Sequence, residues 1–115
     1  MTDAILVMVT CRSSRDATEL ANALLREHLV ACVNIAGRVR SLFFWEGALQ
    51  RESESLLLMK THKDLFEKLK DRVEELHSYD VPEIVAVPLE YGNDEYLEWI
   101  EQVTVGGKSG LEEDD

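Results

Sequence analysis

The chain reads as an α+β domain on the ferredoxin-like βαββαβ plan, with a long hairpin at its centre and a C-terminal helix after the last strand. Three observations predict it. Apolar runs of strand length, Ala4 to Val9 and Leu56 to Met59, alternate along 115 residues with stretches whose apolar residues recur at helical spacing. Ser13 with Asp16, and Thr61 with Asp64, have the spacing of capping boxes that start helices. Glu46-Gly47 marks a turn between two long extended segments.

Ala4 to Val9 is apolar throughout, as a central strand covered on both faces must be. Ser13 opens a helix whose stripe is Ala17, Leu20, Ala21, Leu24 and Leu25, with Leu29 extending it. Val30 to Ile35 is the second strand, and Gly37 marks a bend or a bulge within it. The chain continues extended from Arg38 to Trp45 and turns at Glu46-Gly47. Leu49 to Ser55 returns as a polar strand and Leu56 to Met59 as an apolar one, which makes the hairpin polar at its tip and apolar at its base. Thr61 caps the second helix, whose buried face is Leu65, Phe66, Leu69, Val73 and Leu76. Pro82 closes the next connection, because the residue before a proline is pushed out of the helical region. Ile84 to Tyr91 is the last strand, and Pro88 places it at an edge or a bulge. Asn93 caps a short third helix, apolar at Tyr96, Leu97, Ile100 and Val103. One domain spans residues 1–105. Residues 106–115, with Gly106, Gly107, Gly110 and the acids Glu112 to Asp115, form a flexible acidic tail.

In this plan both long helices lie on one face of an antiparallel four-stranded sheet. Leu56 to Met59 then sets bulky groups on both faces of a strand. Burying one such side chain contributes ~1.5–3 kcal/mol, against a net stability of ~5–15 kcal/mol for a whole domain. The third helix is too short to cover the second face alone, so a partner chain is expected to complete it.

The net charge of −11, from 23 acids and 12 bases, excludes nucleic acid and anionic membranes as partners. Met1-Thr2-Asp3 lacks the basic start of a signal peptide, and no apolar run approaches the ~20 residues of a membrane span. Two cysteines, Cys11 and Cys32, make no disulfide framework and fit a reducing, cytoplasmic setting.

The run from Gly37 to Gly47, GRVRSLFFWEG, resembles the phosphate loop of acylphosphatases in its Gly-Arg-Val and Phe-Phe elements. The resemblance fails on three counts. Trp45 stands where a bidentate arginine is needed, no asparagine lies between Asn34 and Asn93, and the run sits inside a hairpin rather than after the first strand. Phe43, Phe44 and Trp45 read instead as interface aromatics. No nucleophile–base pair, Walker loop or HExxH motif occurs, so no enzyme is expected.

LVACVNI from Leu29, SLFFWEG from Ser41, LLLMKT from Leu56 and YDVPEIVAVPLEYGNDEYLEWI from Tyr79 together resemble the CutA family of divalent-cation tolerance proteins, over about Ile5 to Ile100. The resemblance implies a homotrimer of ferredoxin-like subunits with hairpins pairing between subunits, similar in architecture to the PII signalling trimers. It implies a binding role in tolerance of divalent cations, copper or another. Family members described as copper-binding place a cysteine at the position of Cys11 and two histidines at the end of the second helix. Here those two positions are Leu76 and His77, so the implied metal residues are Cys11 and His77. The topology brings these two to one edge of the sheet, and a thiol with an imidazole suits copper or zinc. His77 also reads as a helix C-terminal residue interacting with the last carbonyls. Cys32 starts the second strand at the opposite edge and reads as a buried small hydrophobe; His28 and His62 read as surface or cap residues. Trp45, Glu46, Lys60, Tyr79 and Glu83 are the candidates for a polar cleft between subunits, with Lys60 and Glu83 also readable as a structural ion pair. The alternative function is that of a PII-like sensor, binding a small ligand between subunits and signalling to a protein partner.

Overall fold

The computed structural model describes residues 2–106, so nearly all of the acidic tail lies outside the described residues. The elements run β1 (Ala4–Cys11), α1 (Ser14–Arg26), β2 (Cys32–Trp45), β3 (Ala48–His62), a 3-10 turn (Lys63–Leu65), α2 (Phe66–Leu76), β4 (Ile84–Pro88) and α3 (Asp94–Val103). The strands form one sheet in the order β2-β3-β1-β4, and each neighbouring pair is antiparallel. This is the ferredoxin-like arrangement that the order of elements predicts.

Ser13 caps α1 as its spacing predicts, its Oγ accepting the Asp16 N–H at 3.0 Å. Asp16 does not close the box; its carboxylate takes the Arg12 Nε–H at 2.8 Å. The helix ends before Leu29. His28 turns left-handed at φ 59°, the Leu29 N–H bonds to the Leu24 carbonyl at 3.0 Å, and the His28 N–H bonds to that of Leu25 at 3.1 Å. This is a Schellman closure. Leu29 sits at helical spacing from Leu25, yet it lies beyond the helix and rejoins the core cluster that holds Leu24.

The second cap differs from expectation. Thr61 is a fully buried strand residue whose hydroxyl donates to the Leu29 carbonyl at 2.7 Å. The cap is His62, whose Nδ1 accepts the Asp64 N–H at 3.1 Å. A hydroxyl beside an acid three residues on fits either role; the strand claimed it. Asn93 occupies the N-cap position of α3, but its side chain makes no capping bond. β4 stops at Pro88 rather than Tyr91. Among the described residues it pairs only with β1 and is an edge strand, where a residue without an N–H is tolerated.

Ile5, Val7, Val9 and Cys11 from β1 and Leu57 and Met59 from β3 form the core with Leu20 and Leu24 of α1 and Leu69 and Val73 of α2. The opposite face is only partly covered, with Leu6, Met8, Leu56 and Leu58 half-buried and Val85 and Val87 exposed. The register puts Leu6 beside Lys60 and Val87, Met8 beside Leu58 and Val85, and Thr10 beside Leu56. Of this face α3 covers one end only, where Ile100 is buried with Ala4 and Ala31.

Beyond the sheet body β2 and β3 continue as a two-stranded arm, paired from Val39↔Glu54 to Trp45↔Ala48. The arm makes the molecule long, 50 × 30 × 23 Å. A bulge separates body from arm, between Ala36 and Val39. It lies at Gly37, yet the left-handed residue there is Arg38, at φ 54°. Glu46 and Gly47, at φ 53° and 79°, form the tip as a two-residue turn with both angles positive, the geometry that matches strand twist. The tip is not polar: Phe44, Trp45 and Leu49 are all exposed there.

Candidate functional site

β1 ends in Cys11, and α2 ends at its C-cap, His77. The two side chains meet, Sγ lying 3.8 Å from Nε2. The ring is already engaged on both sides. Nε2 lies 2.7 Å from the Thr10 carbonyl oxygen, which can only accept, so Nε2 carries the proton. Nδ1 accepts the Tyr79 N–H at 3.0 Å, so it carries none. The Cys11 thiol is pushed up to about 11, by burial first and then by the carboxylates of Asp16 and Glu54. The pair borders a cavity of about 210 Å³ that Arg12, Asp16, Glu19 and Leu76 also line.

A soft metal ion needs a thiolate and a free imidazole lone pair. Here burial raises the Cys11 thiol, so an ion would have to displace its proton, and the ring's lone pair already accepts the Tyr79 N–H. Leu76, in the place of a second histidine, supplies no donor atom. Among the described residues no group of three or more His, Cys, Asp or Glu side chains could hold a metal ion. The residues present do not fit a resident ion.

A second site lies above this one. The Tyr79 hydroxyl donates to Glu54 at 2.8 Å, and Glu54 is buried at the point where β3 enters the arm. Burial first, and then the bond to Glu54, raise the Tyr79 phenol well above its ordinary value. A cleft of about 460 Å³ opens here. Phe43 and Trp45 form its arm wall, Tyr79, Asp80 and Val81 the opposite wall, and Arg12 stands at its edge. Aromatic faces beside a guanidinium and carboxylates suit a planar polar ligand or the side chains of another protein.

Of the five cleft candidates, only Trp45 and Tyr79 share this cleft within one chain. Glu46 sits in the exposed turn at the tip, and Glu83 is exposed ahead of β4. Lys60 bonds to Asn34 Oδ1 at 3.1 Å and lies near the Tyr96 hydroxyl at 3.4 Å. Six steps along β3 separate it from Glu54, or about 20 Å at strand rise. The Lys60–Glu83 ion pair is not formed; helix α3 brings Tyr96 to the lysine instead. Cys32 is only half-buried, because β2 is an edge strand, and both cysteines are free. Glu54 and Arg12 escaped the sequence reading. The signal for Glu54 was its parity, since a carboxylate that shares a face with Leu56 and Leu58 needs a dedicated partner.

Among the described residues no helix is long and apolar enough to cross a membrane. The family model for the CutA1 divalent ion tolerance protein matches residues 5–103. The chain is 46% identical over 99 residues to the divalent-cation tolerance protein CutA of Thermus thermophilus, covering 86% of this chain and 96% of that one. It is 44% identical over 101 residues to the chloroplastic CutA of Arabidopsis thaliana, covering 88% of this chain but only 56% of the relative, so the match spans little more than half of the plant protein. The crystal structure of CutA1 from Oryza sativa superposes with a TM-score of 0.87 at 40% identity, covering 90% of this chain and 94% of that one. Fold, hairpin motifs and whole-domain identity agree: the chain belongs to the CutA1 family of divalent ion tolerance proteins.

Proposed function

We propose that the chain acts in divalent-cation tolerance as a homotrimeric, non-enzymatic binding protein of the cytoplasm, with its ligand cleft completed where neighbouring copies meet. Divalent cations, copper among them, are on this reading the stimulus or the cargo and not a resident cofactor. The observation that carries the reading is the partly open sheet face, with Val85 and Val87 exposed and Leu6, Met8, Leu56 and Leu58 half-buried, continued by an arm with exposed aromatics. An apolar surface of this extent on a protein with net charge −11 calls for a partner with the same surface, since both copies gain by covering it. Two free thiols without a neighbouring thiol suit a reducing compartment. Sedimentation equilibrium tests the assembly: a trimer mass is expected, and a stable monomer at micromolar concentration would refute it.

The cleft between Trp45 and Tyr79 favours a second reading, that of a PII-like sensor for a small ligand. Trp45 fluorescence separates the two in a Trp99→Phe background. A response to organic anions with none to copper or zinc would put the sensor ahead.

A further inference from the structure

We infer that His77 is a positioning residue, not a metal ligand: its neutral ring ties the connection after α2 to the end of β1 and so sets Tyr79 into the wall of the arm cleft. The bonds that make this tie all lie within one chain. A continuous series of bonds carries the tie. The Thr10 carbonyl takes the Nε2 proton at 2.7 Å. Nδ1 takes the backbone N–H of Tyr79 at 3.0 Å. The Tyr79 hydroxyl then reaches Glu54 on β3 at 2.8 Å. The two rings lie with centroids 4.8 Å apart, which fixes the imidazole plane.

The C-cap position leaves the end of α2 and the connection beyond it without a strand partner, and the ring supplies one. A ring with one donor and one acceptor nitrogen, both in use, has no lone pair left for an ion. Any ion at this ring must first displace Tyr79 N–H or the Thr10 carbonyl. Cys11 serves here as a buried neighbour of the ring, its sulfur within 3.8 Å of the same nitrogen that bonds to Thr10.

The tie also explains why Tyr79 can satisfy a buried carboxylate. Glu54 is 7% exposed, and its phenol partner stands on a connection with no regular secondary structure. Without an anchor two residues earlier, that connection would be free to withdraw the hydroxyl. The ring is that anchor.

The test uses the intact protein treated with a chelator, as wild type, His77→Ala and His77→Asn. Asn can still accept the N–H two residues on, but it cannot reach Thr10. Ring nitrogen NMR of the wild type is expected to report a protonated Nε2 and a bare Nδ1, unchanged by one equivalent of zinc or copper. In chelator, the Tm of His77→Ala is expected to fall by about 5 °C or more, with partial recovery in His77→Asn. Dialysed copper per chain is expected to be the same in all three. Ring signals that move in step with one equivalent of metal would overturn the inference. So would equal chelated Tm values accompanied by loss of bound metal in His77→Ala. The mass of each sample, read separately, reports on assembly, so failure of the trimer proposal and failure of this one are distinguishable.

Discussion

The lower and upper halves of the β2–β3 hairpin both carry large apolar residues, and these end in opposite environments. In the body, Leu57 and Met59 are 0% exposed; in the arm, Phe44 is 78% and Leu49 53% exposed. Nothing in the side chains accounts for this. The body strands face α1 and α2, while the arm has outrun both helices and among the described residues meets only the connection at Tyr79, Asp80 and Val81 across an open cleft. Hydrophobicity states a need for cover, and topology decides whether the same chain meets it. A domain gains little by leaving large apolar groups in water, so the arm is the half whose energetics belong to assembly.

The contrast can be tested from its strongest end. Leu57→Ala removes a core side chain with no route for collapse, and should cost about 2–5 kcal/mol of unfolding free energy. Denaturant titration of the intact protein should show a much lower midpoint. The arm should behave differently. Trp45→Ala should leave circular dichroism intact and weaken subunit association by about 2 kcal/mol or more, read as a shift in dissociation constant by sedimentation. Unchanged mass together with unchanged thermal stability would make Trp45 an ordinary surface aromatic and erase the distinction between the halves.

The junction between the halves should show an intermediate effect. Tyr79→Phe leaves Glu54 without its hydroxyl partner, at a cost of about 1–3 kcal/mol for an unsatisfied buried group. Glu54→Gln in the same background should recover part of that loss, because a neutral amide is cheaper to bury than a carboxylate. The smallest effect concerns Cys11. Its pKa is raised from 9.0 to about 11 in the folded state, so the thiol form is favoured by folding. The associated stability is fully present below pH 9 and is lost as pH rises towards about 11. Wild type should therefore lose stability across that window faster than Cys11→Ser, and a parallel pair of profiles would show the shift to be absent.

Much of this was legible in the sequence because it depended on local pattern. The strand–helix order, the Ser13 cap, the Glu46-Gly47 turn and the partly open sheet face all follow from periodicity and side-chain size. The errors have a common physical origin. Leu29 keeps helical spacing after the helix has closed, because a Schellman turn returns an apolar residue to the same core. Thr61 has the composition of a cap but is taken by a buried bond to Leu29. At the site, the approach of Cys11 and His77 could be anticipated from topology. The commitment of both ring nitrogens could not, since Thr10 and Tyr79 take part through their backbones, which carry no side-chain signature.

The bulge between Ala36 and Val39 has a consequence best expressed as a reading frame. Ala36 lies opposite Leu56 and Val39 opposite Glu54, so β2 spends three steps where β3 spends two. Odd-numbered β2 residues beyond that point therefore share a side with Glu54 and Glu52, which is how Phe43 and Trp45 come to face the cleft. Losing a single residue at Gly37 or Arg38 would take out the bulge and leave Val39 opposite Glu54, whereas losing one just beyond it, at Val39, would rotate Leu42 and Phe44 into their place, carrying Arg40 with them. Two such changes, or none, leave the message intact. The arm can thus be lengthened or trimmed in paired steps without rewriting what its inner side presents, while an odd-numbered deletion would garble every position out to the tip.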